Sequence, residues 1–73
     1  MQLFEKLTIR EEEVFAQLSE GKSNVEIAVR LGISVHTVHN HMNHIFKKLG
    51  VSSRVSASNL YWLRRGSQLT EKK

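Results

Sequence analysis

The chain has 73 residues with no cysteine and no proline, which excludes a disulfide framework and a thiolate zinc site and fits one thinly cored domain of intracellular origin. No apolar run reaches the roughly 18 residues of a membrane span, and the opening MQLFEKLTIREEE lacks the basic start and apolar stretch of a signal peptide, so a soluble, cytoplasmic chain with no membrane partner is expected. The formal charge of +4 is uneven: residues 1 to 33 carry four basic side chains against six glutamates, net −2, and residues 34 to 73 carry seven against one, net +6. The second half is therefore the candidate for a polyanionic partner.

The pattern predicts an all-α domain of four helices. Thr8 and Glu11 form a capping box, and Ile9, Val14, Phe15 and Leu18 recur at helical spacing until Gly21. Glu11, Glu12 and Glu13 occupy the first turn, where negative charge suits the macrodipole; that is ordinary helix chemistry, not a catalytic carboxylate pair. A second capping box, Ser23 with Glu26, opens a short helix with Ile27, Ala28 and Leu31 facing inward and Gly32 at its end. Only Gly32, Ile33 and Ser34 separate it from the third helix, which Ser34 caps and Gly50 stops. This is helix-turn-helix spacing. Ser53 precedes a fourth helix, about 54–65, which Gly66 is expected to end, leaving a polar tail over 67–73.

The third helix is expected to turn Val35, Val38, Met42, Ile45, Phe46 and Leu49 to the core. The opposite side collects His36, His39, Asn40, Asn43, His44 and Lys47, with Thr37 and Lys48 at its edge and no acid. An exposed helix usually mixes Glu with Lys, so a donor-only face suggests a negatively charged partner. His41 borders the apolar side and suits packing; His36, His39 and His44 can reach a phosphate or a base edge. Metal binding is disfavoured. His36/His39 and His41/His44 are each spaced i,i+3 but point in different directions, and no Cys, Asp or Glu on this helix completes a site. Nucleophilic catalysis lacks an aspartate and a cavity. Neither an enzyme nor a cofactor is expected.

The stretch LTIREEEVFAQLSEGKSNVEIAVRLGISVHTVHNHMNHIFKKLGVSSRVSA resembles the DNA-binding domain of the LuxR/NarL/GerE regulators, whose pattern runs LTxREREVL, G-x-SNxEIAxxLxIS, TVxxH, I-x-x-KL-x-V and R-x-x-A. The likeness spans about residues 7–66, between a lead-in over 1–6 and the tail. It implies a third helix in the major groove of double-stranded DNA and a fourth that pairs two subunits. The family's base-reading positions after the Thr-Val pair fall on His39, Asn40 and Asn43, beside His36. Phosphate contacts would fall on Asn24, Ser34, Thr37, Lys47 and Lys48, with His44 on the same face. Ile9 stands where the family usually has proline, Val25 where it often has a charge, Ser58 where valine is common and His39 where many members place lysine. The operator is therefore expected to differ and binding to respond to pH where imidazole titrates. With no receiver or ligand-sensing segment before it, the chain is expected to be a separated effector domain or a stand-alone regulator of the GerE type.

The fourth helix, RVSASNLYWLRR, has more apolar directions than one core can cover. Ala57 and Leu60 share an arc, Leu63 lies to the side, and Val55 and Trp62 lie across from Leu60 with Ser58 and Tyr61 adjoining. Either Trp62 folds back over the domain or contacts a missing upstream domain, or the arc of Val55, Ser58, Tyr61 and Trp62 meets its own copy in a homodimer on an inverted repeat. The competing functional reading is a helix-turn-helix turned to protein partners, another regulator or RNA polymerase; a sigma-factor-like domain is a third.

Overall fold

The computed structural model describes residues 6–71, with side-chain surroundings for 6–66. Among these it holds four helices and no strand: α1 Ile9–Ser19, α2 Asn24–Leu31, α3 Val35–Leu49 and α4 Arg54–Glu71. Each begins at a hydroxyl. Thr8 and Ser23 form complete capping boxes with Glu11 and Glu26, Ser34 accepts from the Thr37 N–H, and Ser53 accepts from the Ser56 N–H at 3.1 Å. These bonds satisfy N–H groups that have no partner within their own helix.

The first three helices end alike. Gly21, Gly32 and Gly50 take φ of 88°, 68° and 70°, a region glycine enters without a Cβ clash. The residue beyond each glycine donates its N–H back into the helix: Lys22 to Gln17, Ile33 to Ala28 and Val51 to Phe46. This is the Schellman arrangement, and Ile33 and Val51 complete it by packing on the core. The fourth helix departs from expectation. It runs through Gly66 to Glu71, and Gly66 has no positive φ. The expected lead-in falls almost wholly, and the last two tail residues entirely, outside the described residues.

All four helices contribute to the core: Val14, Phe15 and Leu18 from α1, Ile27 and Ala28 from α2, Val38, Met42 and Ile45 from α3, and Ala57 from α4. α1 packs against both α3 and α4, and α2 packs on α3. The third helix is thus held along its apolar side, and its other side is left to solvent. Two residues expected inside point outward. Ile9 and Val35 are 83% and 38% exposed; each is the first residue of its helix, beyond the reach of the core.

Candidate nucleic-acid interface

The residues of α3 exposed to solvent are Val35, His36, His39, Asn40, Asn43, His44 and Lys47, while Val38, Met42 and Ile45 are buried at one-turn intervals behind them. Apart from Val35, every exposed side chain is an imidazole, an amide or an ammonium. Thr37 and His41 are half-buried on the borders. Ser34 closes the helix start, its hydroxyl bonded to the Thr37 N–H at 3.0 Å and paired with the Thr37 hydroxyl at 2.9 Å.

A polar chain ties this face to the rest of the helix-turn-helix. Asn24, at the first position of α2, donates from Nδ2 to His39 Nε2 at 2.9 Å. Its Oδ1 accepts from Arg54 Nη1, also at 2.9 Å. Arg54, from the start of α4, donates further to the Lys22 carbonyl and lies 3.9 Å from the Met42 sulfur. The Asn24 side chain, expected on a phosphate, is therefore engaged at both ends within the domain. Sequence reasoning missed Arg54 as part of the site; its one signal was the match to the arginine of the R-x-x-A block.

Lys48 is a second departure. Its ammonium donates to Glu11 Oε1 at 2.8 Å and to the Lys6 carbonyl at 3.4 Å, so it is engaged with α1 and the segment before it. Glu11 also accepts the Thr8 N–H at 2.9 Å, and His44 Nδ1 lies 3.9 Å from its other oxygen. Burial works to raise the Glu11 carboxyl pKa, but the Lys48 hydrogen bond, the Thr8 N–H and the charges of Lys48 and His44 outweigh it and hold the pKa below its ordinary value. A buried glutamate thus takes up one of the two lysines of the basic pair. Lys47, on the next position, stays exposed.

On α4 the expected arc is narrower than the sequence suggested. Tyr61 lies one turn beyond buried Ala57 and turns inward, its ring edge-on to Phe15 with centroids 5.1 Å apart. Trp62 stacks edge-on to Tyr61 at 5.0 Å, and its indole N–H donates to the Ser19 carbonyl at 2.9 Å. Trp62 folds back over α1 while leaving 49% of its surface exposed. Val55 and Leu63 are exposed too, at 69% and 67%, and Ser58 is half-buried between Val55 and Trp62.

Among the described residues no three His, Asp or Glu side chains converge as metal ligands, and no helix is long and apolar enough to cross a membrane.

Comparison with known proteins agrees with this architecture. The family described as "Bacterial regulatory proteins, luxR family" (GerE) matches residues 5–61. The chain is 47% identical over 57 residues to the probable transcriptional regulatory protein SgaR of Hyphomicrobium methylovorum, covering 78% of this chain and 27% of that protein. It is 45% identical over 65 residues to the nitrate/nitrite response regulator protein NarP of Escherichia coli, covering 89% and 30%. The crystal structure of the response regulator ChrA, of a heme-sensing two-component system, superposes with a TM-score of 0.78 at 38% identity, over 88% of this chain and 32% of that one. The chain thus spans under a third of the length of these relatives.

Proposed function

The chain belongs to the LuxR family of bacterial regulatory proteins, and on that premise we propose that it binds double-stranded DNA sequence-specifically, as a homodimer on an inverted repeat, in the bacterial cytoplasm. The observation that carries this reading is the exposed face of α3, polar and free of acids after its first residue. His36, His39, Asn40 and Asn43 face the base edges. Ser34, Thr37, His44 and Lys47, with the N–H groups at the start of α2, meet the phosphates flanking them. Lys48 is held by Glu11 and the Lys6 carbonyl, so we assign it to the fold.

A helix-turn-helix devoted to protein partners such as RNA polymerase is the weaker reading. A protein-binding face centres on aromatic and aliphatic anchors, and α3 exposes only Val35 of that kind. Gel-shift titration against random duplex at a series of salt concentrations separates the two. DNA binding should weaken steeply, by about 0.9 in log–log slope for each phosphate neutralised. A flat dependence removes the nucleic-acid reading.

A further inference from the structure

We propose that Arg54 is a positioning residue for base reading: through Asn24 it holds the His39 imidazole in the tautomer protonated at Nδ1, so that His39 selects a hydrogen-bond acceptor on a base edge. This rests on the reading of α3 as the DNA-facing helix and adds the chemistry that one of its positions recognises.

Arginine carries donors and no acceptor, so the atom of Asn24 that lies 2.9 Å from Arg54 Nη1 is the carbonyl oxygen. Rotating the amide would set its NH2 group against a cation that can only donate. The NH2 group is therefore the one that faces His39 Nε2 at 2.9 Å. An amide NH2 cannot accept, so Nε2 carries the lone pair and the proton of the neutral ring sits on Nδ1.

Arg54 is itself fixed, by its bond to the Lys22 carbonyl and its place beside Met42. Among the described residues the His39 ring makes no other hydrogen bond, which leaves Nδ1–H for an external acceptor. In the major groove those acceptors are guanine N7 and O6, adenine N7 and thymine O4, whereas cytosine presents the N4 donor. The relay thereby converts a residue that could donate or accept into one that donates.

Two measurements test this. Long-range proton–nitrogen correlation spectra of the 15N-labelled chain, taken without DNA in buffer alkaline enough to keep imidazole neutral, should show His39 protonated at Nδ1. Arg54→Met should release the ring to a mixture of tautomers, and Arg54→Lys, which also only donates, should restore Nδ1–H. Asn24→Asp keeps an acceptor for Arg54 but offers His39 only acceptors, so the proton should move to Nε2.

Selection from randomised duplexes at the same pH should then show an acceptor-bearing base preferred by about fivefold or more opposite His39 in the unmutated protein. Asn24→Asp should shift the preference towards the donors of adenine N6 or cytosine N4. An unmutated His39 protonated at Nε2, or a tautomer that Asn24→Asp leaves in place, overturns the relay. A tautomer that moves while the selected base stays the same overturns the specificity role. Failure of the unmutated protein to select any sequence would instead count against the proposed function, with the tautomer result still standing. Asn24→Asp is isosteric and keeps the bond to Arg54, so the test survives if Arg54→Met fails to fold.

Discussion

Lys47 and Lys48 are adjacent in the chain and differ in their surroundings. Lys47 is exposed on the donor face, whereas Lys48 is held by a glutamate 37 positions earlier. Lys47→Ala should therefore reduce the salt slope of DNA binding by about 0.9 and weaken all sequences alike, with no change in thermal midpoint. Lys48→Ala should instead cost ~1–3 kcal/mol of folding stability by leaving the buried Glu11 carboxylate short of its partner, readable by urea denaturation. Helical periodicity made the donor face legible in the sequence. It could not show Lys48 turning to α1, because the partner is remote in the chain and comes close only through packing. Asn24 was hidden for the same reason. Glu11 has a pH signature with a definite sign. Its folded pKa lies below the ordinary 4.5, so its contribution is complete above the unfolded value and is lost as pH falls through the folded one. The stability difference between the unmutated protein and Glu11→Gln should accordingly be largest at neutral pH and shrink in acid below about 4.5; a difference independent of pH would show that the carboxylate charge contributes nothing.

At the scale of the helix, the glycines separate what the sequence could show from what it could not. The stops at Gly21, Gly32 and Gly50 were readable because a glycine follows each apolar run, and at Gly32 and Gly50 an apolar residue follows in turn to seal the end. Gly66 carries the same residue type, yet α4 passes through it without a positive φ; the successor does not separate the two kinds, since polar Lys22 follows the stop at Gly21. The two kinds of glycine should respond oppositely to alanine. Gly50→Ala forces a side chain into φ of 70° and should destabilise by about 1–2 kcal/mol. Gly66→Ala places a better helix former where nothing lies within 4 Å of the added carbon and should be neutral or stabilise by up to ~1 kcal/mol. Paired urea denaturation curves check both signs at once, and a loss at Gly66 comparable to that at Gly50 would contradict a continuous helix there.

For the whole molecule, the question is how a recognition helix of four turns obtains enough contact to choose a site. One α3 reads only a few base pairs, so pairing two copies across a two-fold axis is the simplest way to lengthen the sequence read, and it requires a surface remote from the donor face. On the dimer reading proposed above, exposed Val55 and Trp62 with half-buried Ser58 on α4 are the candidates for that surface, while Tyr61 packs against the core. Trp62→Ala is an ambiguous probe, since it removes the bond to the Ser19 carbonyl and the contact with Tyr61 as well as any seam. Val55 is 69% exposed, so Val55→Glu should change folding stability by no more than about 0.5 kcal/mol. In an isologous dimer, however, it sets two carboxylates near each other in an apolar contact. We expect Val55→Glu to retain binding to an isolated half-site and to lose cooperative occupancy of an inverted repeat with ~10 bp between half-site centres. Footprinting and sedimentation on the same duplex measure this directly. Cooperative two-to-one binding that survives Val55→Glu would move the seam elsewhere, and one-to-one binding by the unmutated protein on the inverted repeat would remove the dimer.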